Sequence, residues 1–137
     1  ARRQWNLVDN QELDYHFLGD FDKEMIATIK SEKNFHRTPV QEIWHNDGDQ
    51  ILAYMRGNLI FVFNFNPTKS FTDYGFLVPT GSYDVVLNTD AVKFGGNGLA
   101  DDSITHLTTY DPLYMEERKE WLKLYIPARS AVVLKKN

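Results

Sequence analysis

The sequence predicts an all-β fold, an antiparallel sandwich or barrel, preceded by a short helical segment over residues 1–36. Three observations predict it. From about residue 37 onward, apolar side chains recur with a period of two in short runs, the spacing that lines one face of a strand. Gly, Pro, Asn and Asp punctuate those runs. One run, Asn58 to Phe65, is apolar and aromatic on both faces, the composition of a strand in the middle of a sheet.

In chain order, Asp9 and Glu12 form a capping-box pattern at the start of a short helix. Leu13, Phe17 and Leu18 make its buried stripe, and Gly19 suits the left-handed residue that ends a helix. Asp20 then caps a second helix. Its Phe21, Met25 and Ile29 recur every four residues and share one face. Lys30 and Lys33 sit where cations suit the helix dipole. The helical period stops at Phe35-His36-Arg37-Thr38-Pro39, which marks the boundary to an all-β unit over residues 37–137.

Gln41 to His45 reads as a strand and Gln50 to Arg56 as its return. Asn46-Asp47-Gly48-Asp49 is the turn between them, since Asp and Gly tolerate positive φ. Leu59, Phe61, Phe63 and Phe65 fall on one face of the next strand, and Ile60 and Val62 on the other, until Asn66-Pro67 stops it. Strands follow over Tyr74–Val78 and Ser82–Asn88, the latter with Tyr83, Val85 and Leu87 on one face. Residues 89–103 read as a long loop. Ile104–Tyr110, Glu120–Ile126 and Ser130–Lys135 complete about seven or eight short strands.

The chain has 137 residues, which suits one domain. A net charge of −4 with isolated basic pairs at Arg2-Arg3 and Lys135-Lys136 argues against a nucleic-acid partner, which needs a clustered basic footprint. The absence of cysteine excludes disulfides and thiolate metal sites and fits a reducing, cytoplasmic setting. No apolar stretch approaches the ~20 residues that span a bilayer, so no membrane partner is expected. The chain opens on Ala1-Arg2-Arg3 without an initiator Met and reads as a piece of a longer protein.

Few constellations suggest chemistry. Asp47-Gly48-Asp49 lacks the ligand ladder and terminal Glu of an EF-hand calcium loop. Gly95-Gly96-Asn97-Gly98 lacks the helix that completes a phosphate cradle. The carboxylate pairs Asp101-Asp102 and Asp20/Asp22 read as solvated loop and cap residues. His16, His36, His45 and His106 have no metal-ligand spacing. Aromatic faces can stack on sugar rings, which makes Trp44, Tyr54 and Tyr110 candidate glucan contacts, with core packing the alternative for each.

Three stretches carry a family resemblance: Ala1-Arg2-Arg3-Gln4-Trp5-Asn6-Leu7, Phe17-Leu18-Gly19-Asp20-Phe21-Asp22-Lys23-Glu24-Met25, and Phe61-Val62-Phe63-Asn64-Phe65-Asn66-Pro67 continuing to Tyr74. Gly81 to Asp90, Phe94-Gly95-Gly96, and Tyr125-Ile126-Pro127-Ala128-Arg129-Ser130-Ala131 extend it in the same order. Together they resemble the C-terminal part of 1,4-α-glucan (glycogen) branching enzymes of the eukaryotic type, in the α-amylase superfamily. Asn66 stands where the family often has His, and Asn97-Gly98-Leu99-Ala100-Asp101 replaces an Arg-Leu-Asp-like run.

The resemblance implies that residues 1–36 close a catalytic (β/α) barrel and that 37–137 form a Greek-key-like C-terminal β-sandwich. The parent would transfer an α-1,4-glucan segment to a 6-hydroxyl, forming α-1,6 branches in glycogen synthesis. Its catalytic carboxylates would lie upstream, so no catalytic residue, metal or cofactor is assigned to this chain. The implied partners are glucan, through the parent, and the missing barrel. An uncovered apolar helix face could also drive self-association. The alternatives are a free-standing carbohydrate-binding module, which needs an exposed aromatic row on one sheet face, and a purely structural or interaction sandwich.

Overall fold

The computed structural model describes residues 2–137; Ala1, which opens the first resemblance run, lies outside the described residues. The central strand, β3 (Leu59–Asn64), lies inside a six-stranded sheet of order β1-β2-β3-β8-β5-β6. The other strands of this sheet are β1 (Gln41–Asn46), β2 (Ile51–Arg56), β5 (Ser82–Asn88), β6 (Thr105–Leu107) and β8 (Ser130–Lys136), and β3 pairs with β2 and β8. A two-stranded sheet, β4 (Phe71–Pro79) with β7 (Lys119–Ile126), lies across one face. Every pairing is antiparallel.

The period-two pattern explains the core between the layers. Ile51 and Ala53 of β2, Ile60 and Val62 of β3, Tyr83 of β5, and Val132 and Leu134 of β8 point inward. They meet Phe76 and Val78 of β4 and Leu122, Leu124 and Ile126 of β7, all buried. The other face of β3 is covered as well. Leu59, Leu87 and Val133 form a second buried cluster under Phe21 and Met25 of the helix α2 (Tyr15–Ser31), with Phe35 and Phe94. An ion pair between Lys135 Nζ and Glu32 Oε1, 2.7 Å long, fastens the end of α2 to β8.

The end of β3 is held by a buried amide. Asn64 Nδ2 donates to the carbonyls of Lys69 (2.9 Å), Pro127 (3.1 Å) and Ile126 (3.3 Å), while its Oδ1 accepts from the Asn66 backbone N–H (2.9 Å). Asn66 in turn accepts from Thr68 and Lys69 backbone N–H groups. The loop carrying Pro67 is therefore tied to the β7–β8 turn.

Several details depart from the sequence expectations. The N-terminal pattern gives α1 (Trp5–Asp9) and one continuous α2, so Asp9 ends α1 instead of capping a helix, and Asp20 lies inside α2. Gly19 is interior too. A Cβ there would stand 2.7 Å from Val8 Cγ1, so the glycine allows close approach of α1 at the cost of about 1 kcal/mol of helix propensity. Leu18, expected in the buried stripe, is 66% exposed.

In the β1–β2 turn, the positive φ falls on Gln50 (59°), not on Asp47 or Gly48. Asn46 Oδ1 accepting from Asp49 N–H (2.9 Å) closes this loop. A register shift between Val85 and Leu87 turns Leu87 away from Tyr83, onto the helix-covered face. The alternation from Ile104 to Tyr110 yields only the short β6, because the chain leaves β5 and bridges Thr109 to Trp121 of β7. Leu107 is accordingly 72% exposed.

The packing predicts a contrast in stability. Leu122→Ala should cost about 2–5 kcal/mol in urea denaturation, and Leu107→Ala less than about 0.5 kcal/mol. Equal effects would contradict this placement of the core.

Candidate functional site

The structure disperses the three aromatic candidates. The irregularity in β1 between Glu42 and Trp44 accompanies a turn of Trp44 toward β4. There its Nε1–H donates to the Tyr74 hydroxyl (2.9 Å), which donates to Asp49 Oδ2 (3.1 Å). Burial pushes the Tyr74 hydroxyl above its ordinary pKa; the Trp44 donor opposes this and Asp49 adds to it. Trp44 is 40% exposed, and with its N–H occupied it presents mostly carbon to solvent. Tyr54 lies on the outer face of β2, its ring stacked on Phe61 (centroids 4.8 Å) and near-parallel to Phe63 (5.8 Å). Desolvation raises its pKa too. Tyr110, 60% exposed, sits on the crossover after β6, the edge strand opposite β1.

Tyr54 belongs to a longer aromatic column. Phe63 and Phe65 continue it at 5.6 Å with their planes only 4° apart. At the other end Phe35 leans on Phe61 at 6.2 Å and carries the Arg56 guanidinium 4.5 Å above its ring. Inner members of such a stack cover one another's faces. Phe65, 61% exposed, is the end member, with one side covered by Phe63. Its backbone is fixed, because the Phe65 N–H donates to the Gln50 carbonyl (2.9 Å) beside the Asn64 clamp.

Phe65 borders an open groove of about 520 Å³ that runs to the β1–β2 loop. Glu42, His45, Asn46, Asp47 and Gln50 supply its polar lining. Glu42 Oε1 lies 2.6 Å from His45 Nδ1, and this hydrogen bond and charge hold the imidazole above its ordinary pKa of 6.5. Alternation had grouped Phe65 with Leu59, Phe61 and Phe63 as one strand face. The signal that separates it is Asn66-Pro67 immediately after, which ends β3 at Asn64 and leaves Phe65 beyond the ladder.

Two other concavities stand apart. A cleft of about 640 Å³ lies between α1 and α2, lined by Trp5, Val8, Tyr15, Leu18 and Ile26. All of these except Val8 are large exposed apolar groups. A smaller one, about 260 Å³, lies between the 99–104 loop, β6 and β7 and contains His106, whose pKa burial pushes down while Asp84 opposes the shift.

The glycine-rich loop closes on the protein itself. Asp90 accepts from Asn97 N–H (3.1 Å) and Leu99 N–H (2.7 Å), and a Cβ on Gly96 would collide with the Asp90 backbone. Asp101 accepts from Ser103, and Asp102 from Asn88. Among the described residues, no group of three His, Cys, Asp or Glu side chains gathers as metal ligands, and no helix is long and apolar enough to cross a membrane.

Comparison with known families decides the lineage. The family described as "Alpha amylase, C-terminal all-beta domain" matches residues 43–137. The chain belongs to the α-amylase C-terminal all-β domain family. The match starts within β1 and takes in all later strands of the sandwich. The α-amylase C-terminal domain described here is also similar, over nearly its full length, to proteins named 1,4-alpha-glucan-branching enzyme. That of Saccharomyces cerevisiae is 39% identical over 135 residues, 98% of this chain and 19% of the relative. That of Rhizophagus irregularis is 40% identical over 137 residues, 98% of this chain and 20% of the relative. That of Felis catus is 36% identical over 137 residues, 98% of this chain and 19% of the relative. The chain thus spans about a fifth of the length of these relatives.

The histidine environments give a titration test. By NMR, His45 should titrate above 6.5 and His106 below it, and Glu42→Gln should bring His45 down toward 6.5. A raised pKa means that the His45 contribution to stability is present below 6.5 and fades as pH rises through the folded value. For His106 the sign reverses, and its contribution is lost as pH falls from 6.5 through its lowered folded value. Coincident titration of the two rings would contradict these environments.

Proposed function

We propose that the chain is the non-catalytic C-terminal β domain of a 1,4-α-glucan branching enzyme. The parent cleaves an α-1,4-glucan chain and transfers the segment to a 6-hydroxyl, creating the α-1,6 branches of glycogen in the cytoplasm. The observation that carries this reading is the sustained similarity to branching enzymes along 98% of the chain, helices included. On this reading residues 1–36 are the last helical part of the barrel, residues 37–137 are the β domain, and the chain by itself is inactive.

The role of the domain is to brace the barrel. The packing of Leu59, Leu87 and Val133 of the β domain against Phe21 and Met25 of α2 supports this, and the exposed apolar face of Trp5, Tyr15, Leu18 and Ile26 on the same helical segment favours a further protein partner over water. In the parent, the rest of the barrel covers that face. With the barrel absent, the same face drives self-association of the chain, and a monomeric sedimentation profile at high concentration would count against it.

The intact protein, incubated with amylose, should generate α-1,6 linkages detectable by their anomeric proton signals. Amylose left linear would defeat the enzymatic reading. Leu18→Asp in the intact protein should cost about 2–3 kcal/mol, because it places a carboxylate in a desolvated contact. Unchanged melting would mean that the barrel does not cover Leu18.

A further inference from the structure

We propose that the Phe65 groove is a binding site for a short segment of α-1,4-linked glucan, with the Phe65 ring as its platform. The proposal rests on the reading of the parent as a glucan-acting enzyme for the choice of sugar. The site itself stands on the geometry of this chain.

Three observations carry it. The first is a ring that is open and already fixed. Phe65 is 61% exposed, yet it is stacked on Phe63 at 4° and its backbone N–H is tied to Gln50. An apolar ring presented on a rigid backbone loses little freedom when a ligand settles on it. The C–H face of a glucose ring needs a surface of this kind.

The second is the lining. Glu42 Oε2, His45 Nε2, the Asn46 amide N–H groups, the Asp47 carboxylate and the Gln50 amide make no hydrogen bond with other described residues. Donors and acceptors are thus mixed around one ring, matching sugar hydroxyls, each of which both donates and accepts. Two carboxylates at the rim disfavour an anionic ligand such as a phosphate or nucleic acid. The polar lining disfavours a lipid chain, which would desolvate these groups without replacing their hydrogen bonds.

The third is the space. At about 520 Å³ the groove lies in the range of small-molecule sites, roughly 300–1,000 Å³, and it opens to solvent so that a longer chain can continue past it. Gln50, at φ 59°, holds the loop that forms one wall.

Affinity electrophoresis of the intact protein through gels containing glycogen tests the site. Phe65→Ala should weaken the apparent affinity for glycogen about fivefold, the scale of one lost aromatic contact. Gln50→Gly removes the amide and relieves the left-handed backbone; it should weaken affinity about twofold. Because Phe65 is the exposed end of the stack, losing its contact with Phe63 should lower the melting temperature by only a few degrees. The Phe65→Trp variant keeps a ring and adds a fluorophore to the three tryptophans of the chain; its fluorescence in excess of wild type should be quenched saturably by maltoheptaose and not by a β-1,4-linked oligosaccharide.

Migration of Phe65→Ala identical to wild type at every glycogen concentration would overturn the site. So would fluorescence of Phe65→Trp that is indifferent to maltoheptaose. The enzymatic reading is tested separately by branch formation in the wild-type protein. Branching with no effect of Phe65→Ala would remove the groove and leave the enzyme; no branching with a clear effect of Phe65→Ala would do the reverse.

Discussion

The structure depends on the two-sided burial of β3. Ile60 and Val62 are sealed against β4 and β7, and Leu59 is sealed under α2. Burying both faces of this strand requires a layer on each side of the six-stranded sheet, and here those layers are the β4–β7 sheet and the helix α2. The Asn64 amide then fixes where the strand stops. That clamp couples the Pro67 loop to the β7–β8 turn, and it also sets where Phe65 emerges from the sheet.

The strands were largely legible in the sequence because alternation and turn residues are local signals. β2, β3, β5, β7 and β8 fall within a residue or so of the runs that announce them. Tertiary contacts decided the rest. Gly19 looked like a helix stop, yet it is a packing glycine under Val8, which only the fold reveals. Leu87 fits the inward alternation of β5 until the bulge beside it reverses its face. Thr109 leaves one sheet for the other in the middle of an alternating run.

The candidate site was less legible for the same reason. Aromatic side chains could be identified, but not which of their faces are covered. Tyr54 is sandwiched between Phe61 and Phe63, Trp44 is tied through its N–H to the Tyr74–Asp49 pair, and Phe65 alone ends the stack beside a polar groove. The outer face of the sheet is thereby divided. Under α2 it is a dry core, and toward the β1–β2 loop it is an amphipathic surface. On the proposed reading, this division would let one small domain carry the helical segment on one part of the sheet and meet a sugar chain on another.

Hydrogen–deuterium exchange of the intact protein, with and without maltoheptaose, tests this division most directly. The account predicts that sugar slows exchange in the 46–50 loop, of which Asn46, Asp47 and Gln50 line the groove, and leaves α2, which does not line it, unchanged. Slowed exchange in α2 with an unaltered 46–50 loop would contradict it.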